Sequence, residues 1–205
     1  MSGRDLRFLK KPLSVLLTLG LGVLVGSYLS LTSAVDDFIN YLLLALIFAA
    51  GVLIGYDLES SLIELRRNVS YLLLPVATTL GSITSGLLIH LITNAPLNYV
   101  LATVAGMGWY TFTGSYIAAL NPYYGFIAYT SNILREVYTF LTYHVLHRRL
   151  GIKAIAAGGA TTMDTTLPLI MSVGGSKAGV MAFLHGFIIT LLVPVIVPAL
   201  AHLNT

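Results

Sequence analysis

Long apolar stretches separated by short polar turns follow one another along almost the whole chain. Five of them are uniform enough to cross about 30 Å of hydrocarbon as helices of about 20 residues. These five stretches are residues 13–33, 38–56, 69–93, 123–146 and 178–203. Because this pattern leaves no room for a soluble domain, residues 1–205 are predicted to form a single all-α polytopic membrane domain for transport.

Two further apolar stretches, residues 97–120 and 154–174, are interrupted by glycine and proline. The first contains "AGMGWYTFTG" and the second contains "GGATTMDTTLP". Within a helix, a glycine costs about 1 kcal/mol and a proline about 3 kcal/mol relative to alanine. We therefore expect both stretches to lose regular helical structure.

Basic residues predict the orientation, because cytoplasmic loops carry an excess of lysine and arginine. The cluster at residues 4–11 places the N-terminus in the cytoplasm, and Arg66 and Arg67 place their loop on the same side. The cluster at residues 147–153 stays cytoplasmic only if residues 97–120 enter and leave by one face. This rule favours a re-entrant segment and a C-terminus outside the cell membrane.

On this interpretation, residues 97–120 enter from the outside and residues 154–174 from the cytoplasm, as two broken or re-entrant hairpins. Irregular backbone at membrane depth is tolerated only where it is buried in protein or lines a wet cavity. Two such segments entering from opposite faces are typical of secondary transporters. The alternative is that both are kinked full spans.

Composition narrows the function. Only 9% of the residues are charged, whereas soluble domains carry about a quarter, and the mean hydropathy is +0.87. The net charge of +3 comes from short basic loops, so a nucleic-acid partner is not implied. The sequence has no cysteine and no nucleotide loop, metal-binding motif or paired nucleophile and base, so neither an enzyme nor a cofactor is predicted.

Three ionisable residues fall at membrane depth: Arg135, Glu136 and Asp164. Each costs about 2.5–3.5 kcal/mol at the centre of a membrane helix unless it is paired or hydrated. Glu136 shares one helix face with Asn132, four residues earlier, and this polar face is expected to line the interior. Arg135 points about 100° away, and we interpret it either as a clamp on carbonyl groups or as a substrate contact.

Asp164 lies among the hydroxyl groups of Thr161, Thr162 and Thr165. A carboxylate in an unwound membrane segment can bind a cation or carry a proton. The alternative is that Asp164 caps the helix that follows. His185, a lone histidine on the last span, is interpreted as a packed hydrogen-bonding residue rather than a proton relay.

Glycines and aromatic residues complete the candidate site. Half-helix N-termini attract anions, and the glycines where such termini are expected are Gly106, Gly108, Gly158 and Gly159. Trp109 and Tyr110 are added as candidate binding residues. For Trp109 the sequence does not choose between a membrane anchor, a packing residue and a cavity wall.

Four motifs appear in the order known from one transporter family: "AGMGWYTFTG" (105–114), "NILREV" (132–137), "GGATTMDTTLP" (158–168) and "HGFIITLLVP" (185–194). Through them the chain resembles the LysO-type lysine exporters over residues 35–205, which leaves residues 1–34 as a first span. The resemblance implies export of L-lysine and of analogues such as thialysine. It also implies an intramembrane acidic pair important for transport, matching Glu136 and Asp164.

Longer members of that family carry additional N-terminal spans. We expect homodimerisation or a separate small membrane subunit to take the place of those additional spans. The predicted mechanism is antiport, in which the acidic pair alternately holds substrate ammonium groups and protons. The alternatives are a sodium-coupled carrier of another small solute and a structural subunit of a transport complex.

Overall fold

The computed structural model describes residues 17 and 20–27, a few single positions between 41 and 63, residue 71 and residues 73–203. The described residues form helices and turns, with no strand among them, which confirms the all-helical prediction for this part of the chain. The predicted spans 13–33 and 38–56 lie largely outside the described residues.

Five α-helices and two short 3-10 segments make up the part from residue 74 onward. The helices are α1 (Leu74–Thr93), α2 (Leu97–Ala105), α3 (Tyr110–Leu120), α4 (Pro122–Leu150) and α5 (Leu167–Ala201). The 3-10 segments, Gly151–Ala157 and Gly159–Met163, connect α4 to α5.

Of the described helices, α1 and α5 are long and apolar enough to cross a membrane, judged by length and composition. Helix α1 corresponds to the predicted span 69–93. Helix α5 begins at Leu167, and non-helical backbone at Gly175, where φ is 75° and ψ is −179°, divides it close to the start of the predicted span 178–203. Pro168 does not break this helix because it lies in the first turn, where a missing N–H breaks no intrahelical bond.

Helix α4 contains 29 residues and extends the predicted span 123–146 at both ends. Its length is about 44 Å at 1.5 Å per residue. The Asn121 side chain caps its N-terminus by accepting the backbone N–H groups of Tyr123 and Tyr124. Although α4 is long enough to cross a bilayer, it is not one of the two described helices that are also apolar enough, and its crossing remains a prediction.

Both predicted interruptions are present. The stretch 97–120 divides into α2 and α3, and the residues between them include Met107 and Gly108, with φ of 45° and 100°. In the stretch 154–174, 3-10 and turn structure replaces α-helix up to Thr166. The re-entrant path through a membrane remains a prediction for both.

Two clusters of buried apolar side chains hold these elements together. One includes Ile189 of α5 and Met107, which lies in the first break, between α2 and α3. The other includes Tyr143 of α4 and Ile155 of the first 3-10 segment. The irregular region after α4 contributes to both, since Ala160 belongs to the first cluster. The region that carries Asp164 is therefore packed against the rest of the protein.

Candidate functional site

The two interrupted segments meet and form a backbone crossing. The N–H of Ala160 donates to the carbonyl oxygen of Met107 at 2.8 Å. Gly108 lies so close to the other segment that a Cβ on it would be 3.0 Å from the Gly158 carbonyl oxygen. At Gly159, φ is 62° and a Cβ would collide with the Met107 carbonyl oxygen. The crossing thus depends on glycine on both sides.

Asn132 fixes the shape of the first break. Its side-chain nitrogen donates to the carbonyl oxygens of Thr103 at 3.0 Å and Ala128 at 2.9 Å. Its side-chain oxygen accepts the Gly108 N–H at 2.7 Å. Gly106, which ends α2, packs against this amide so closely that a Cβ would displace it. Both amide hydrogens of Asn132 are thus bonded to the protein, and its contact with substrate stays a prediction.

Arg135 holds the backbone at the second break, which is the 3-10 and turn region between α4 and α5. Its guanidinium donates to the carbonyl oxygens of Ala157 and Ala156, each at 3.0 Å, and to the Ser82 hydroxyl at 3.1 Å. These bonds join α4, the first 3-10 segment and α1. Of the two interpretations of Arg135, the structure shows the clamp on carbonyl groups.

Replacing Arg135 with lysine is expected to lower the free energy of unfolding by about 2–4 kcal/mol, since each buried polar group left without a partner costs about 1–3 kcal/mol. An ammonium lacks the planar fork that reaches several acceptors at once. The measurement is the thermal unfolding midpoint in detergent. Arg149→Lys is the matched control, because Arg149 is exposed at the end of α4. Equal midpoints for both variants would contradict the clamp.

A cavity of about 260 Å³ lies beside the crossing. Its walls come from the first break, the start of α3, the second 3-10 segment and one turn of α5. The lining residues are Gly108, Trp109, Tyr110, Thr111, Ala160, Thr161, Met163, Asp164, Thr165 and Thr190. Since pockets for drug-sized ligands run from about 300 to 1,000 Å³, this cavity suits a smaller solute. Trp109 is therefore a cavity wall, and it also packs against Phe112.

Glu136 and Asp164 reach the same place from different elements. Asp164 follows the second 3-10 segment and lines the cavity, whereas Glu136 projects from α4 and is not one of the lining residues. Their carboxyl groups are close enough to interact electrostatically. The hydroxyl of Tyr110 interacts with both carboxyl groups. The two acids predicted from the sequence are thus neighbours in the fold, and their role as a functional pair stays a prediction.

The side chain of Thr165 lies next to the two acids. Its side chain lies within interaction distance of both the Glu136 and the Asp164 carboxyl groups, but its buried hydroxyl reaches hydrogen-bond geometry with neither. Its N–H donates to the Asp164 carboxylate. Asp164 thus accepts one backbone N–H ahead of α5, although the residue that precedes this helix is Thr166.

The remaining threonines hold the segment that carries Asp164. The Thr161 hydroxyl donates to the Gly158 carbonyl oxygen at 3.0 Å. The Thr162 hydroxyl lies 3.1 Å from Nδ1 of His185, whose Nε2 lies 2.9 Å from the Thr78 hydroxyl. These contacts agree with the interpretation of His185 as a packed hydrogen-bonding residue. Thr162 is buried, while Thr161 also reaches the cavity wall.

The residue that begins the helix at the cavity differs from the predicted glycines. The helical N-terminus at the cavity is that of α3, whose first residue is Tyr110. Gly106 ends α2, and Gly158 only joins the two 3-10 segments, so neither begins an α-helix. The reason is that the chain needs several residues to turn at each break before helical bonding resumes.

Four lining residues were not candidates: Thr111, Ala160, Met163 and Thr190. Thr190 is the single hydroxyl in the apolar run 186–201, and that isolation could have identified it. No comparable signal distinguishes Thr111 from its neighbours in the sequence. Among the described residues, no group of three or more histidine, cysteine, aspartate or glutamate side chains could hold a metal ion.

Residues 16–201 match the family of the lysine exporter LysO. The chain belongs to this family. It is 31% identical over 159 residues to the lysine exporter LysO of Escherichia coli strain K12, across 77% of this chain and 53% of that protein. It is 29% identical over 157 residues to a Haemophilus influenzae protein described as a candidate lysine exporter, across 76% of this chain and 80% of that protein. No solved structure matches it significantly.

Membership of the LysO family confirms the resemblance seen in the four motifs. The chain spans about half the length of its Escherichia coli relative. Three of the motifs, 105–114, 158–168 and 185–194, supply all the residues that line the cavity. The motif at 132–137 supplies Asn132 and Arg135, which hold the two breaks, and Glu136.

Proposed function

We propose that this protein exports L-lysine and related cationic amino acids, including analogues such as thialysine, in exchange for protons. The observation that carries the proposal is the small cavity lined by Asp164, with Glu136 in electrostatic contact with that carboxylate. The names of the relatives in Escherichia coli and Haemophilus influenzae support lysine as the substrate.

Each charged group of lysine has a complementary group in this site. Asp164 attracts an ammonium group. The first turn of α3 lines the same cavity through Tyr110 and Thr111, and a helix N-terminus carries the equivalent of about +0.5 charge, which attracts the carboxylate. The Trp109 ring can contact the aliphatic stem or face the second ammonium. The 3-10 segment after Gly158 is too short to provide a similar dipole.

Exchange for protons follows from the charge of the substrate. Moving one positive charge out of a negative interior costs about 2.3 kcal/mol per 100 mV. If one proton enters for each lysine that leaves, the exchange moves no net charge, and the pH and lysine gradients set its direction. A carboxyl group that holds either a proton or an ammonium group, but not both together, couples the two movements one to one.

In the proposed arrangement the protein lies in the cell membrane with its N-terminus in the cytoplasm and its C-terminus outside. The two interrupted segments enter from opposite faces, and the direct bond between Ala160 and Met107 supports their meeting within the protein. The expected protein partner is a second copy of the chain or a small membrane subunit.

The test is lysine flux in proteoliposomes that contain only the purified chain. We expect saturable lysine transport that is driven by a pH gradient and accompanied by proton movement in the opposite direction. Arginine and ornithine serve as comparison substrates. Flux that needs sodium and ignores the pH gradient would favour a sodium-coupled carrier. A purified chain that carries no lysine at all would contradict the proposal and favour a structural subunit.

A further inference from the structure

The Thr165 hydroxyl is unusual because it is buried and has no hydrogen-bond partner. Buried polar side-chain atoms in native proteins are hydrogen-bonded in the large majority of cases. This one lies within interaction distance of two carboxyl groups, Glu136 and Asp164. A hydroxyl has a single hydrogen to donate, so it can serve only one ionised carboxylate at a time. The position is suited to a hydroxyl that changes partner.

We propose that Thr165 is the relay through which Glu136 and Asp164 exchange a proton during transport. This inference rests on the function proposed above. In one state Thr165 accepts a hydrogen bond from protonated Glu136 and donates to ionised Asp164. In the other state both bonds are reversed.

The transfer moves one proton and leaves Thr165 unchanged. The O–H bond of the Glu136 carboxyl breaks as its proton binds the Thr165 oxygen. At the same time the original O–H bond of Thr165 breaks, and that proton binds the Asp164 carboxylate. Glu136 becomes ionised, Asp164 becomes neutral, and Thr165 again carries one hydrogen.

The placement of the two acids gives the relay its role. Asp164 lines the cavity, where it meets the substrate, whereas Glu136 is not among the residues of the cavity wall. A proton that reaches Asp164 from Glu136 after the substrate has left neutralises the carboxylate, which then no longer attracts an ammonium group. Thr165 also lines the cavity. A bound ammonium group therefore competes with the hydrogen bond that the Thr165 hydroxyl donates to Asp164 in the first proposed state. Proton transfer and substrate occupancy thus exclude each other.

In the part of the chain that the structure describes, the titratable group found to interact with both acids is a tyrosine. Tyr110 of α3 interacts with both carboxyl groups, and its ring makes an edge contact with Tyr129 of α4 at 5.5 Å. Arg135 precedes Glu136 in the chain but is bound to carbonyl oxygens of the first 3-10 segment. Tyr110 is therefore the rival relay, and the experiment must separate it from Thr165.

The test compares Thr165→Val, which keeps the shape but removes the hydroxyl, with Thr165→Ser, which keeps the hydroxyl. Lysine efflux and proton influx are recorded together in proteoliposomes of the full chain, and lysine–lysine exchange is recorded in the same preparations. We expect proton-driven flux relative to exchange to fall about tenfold or more in Thr165→Val, and to stay within about twofold of the unaltered chain in Thr165→Ser.

Three results would overturn the relay. Thr165→Val could keep the coupling of the unaltered chain, or both Thr165 variants could lose exchange and coupling equally, which would indicate a structural role. Tyr110→Phe could lose coupling while Thr165→Val retains it, which would assign the relay to the phenol. Absence of proton-driven lysine flux in the unaltered chain would instead overturn the proposed function, and the relay with it.

Discussion

Asp164→Asn is expected to abolish proton-driven lysine flux, and Glu136→Gln to reduce it severely. Each substitution keeps the shape of the side chain but removes both its charge and its titratable proton. Hydrogen bonds to charged groups contribute about 1.5–3 kcal/mol. Losing one therefore lowers the affinity of the site for lysine about 10- to 100-fold. The loss of a proton site has a larger effect, because a neutral amide cannot couple the two gradients. The measurement is lysine efflux against an imposed pH gradient.

The two variants are expected to differ in binding. Since Asp164 lines the cavity and Glu136 does not, Asp164→Asn weakens lysine binding as well as coupling. Glu136→Gln acts on coupling more than on binding. Glu59→Gln is the control, because Glu59 is an exposed acid outside the site. Flux at the level of the unaltered chain in both Asp164→Asn and Glu136→Gln would refute the role of the acidic pair.

Features that depend on local chemistry could be predicted from the sequence. Glycine and proline weaken a helix wherever they occur in its interior, so both interruptions were found at the right places. Periodicity placed Glu136 and Asn132 on one face of α4, and the depth of Glu136 and Asp164 in apolar sequence made them candidates, whose function stays a prediction. Their electrostatic contact then follows from the fold.

Partners contributed by distant segments could not be predicted. The clamp of Arg135 on carbonyl oxygens and the bonds of Asn132 to Thr103 and Gly108 join elements far apart in the chain. Periodicity states which face a side chain occupies, not which backbone group it meets there. Thr165 was chosen for its place beside Asp164, but only the fold shows that its hydroxyl lacks a partner.

The stretch 154–174 is only partly broken, since α-helix resumes at Leu167 and is interrupted again at Gly175. Pro168 lies in the stretch that the sequence predicts to be broken, but a proline in the first turn of a helix is compatible with helical structure. The same residue type therefore has opposite meanings at a helix start and in a helix interior. Only the position of Thr166 immediately before the helix distinguishes them here.

Gly159→Ala is expected to eliminate transport and to lower stability, because the new Cβ would collide with the Met107 carbonyl oxygen. That oxygen accepts the Ala160 N–H and closes the crossing. A backbone atom cannot move aside as a flexible side chain can, so the two breaks must separate. Overpacking of this kind costs about 1–3 kcal/mol, added to the strain of a positive φ. The measurements are the unfolding midpoint in detergent and lysine flux.

Gly151→Ala separates the collision from the strain. Gly151 also has a positive φ, 58°, but a Cβ there would meet nothing within 4 Å. If the crossing holds the cavity together, Gly159→Ala loses lysine flux while Gly151→Ala retains it at a moderately lower midpoint. Equal loss in both variants would mean that backbone strain alone is responsible. Retained flux in Gly159→Ala would show that the cavity does not depend on contact between the two interrupted segments.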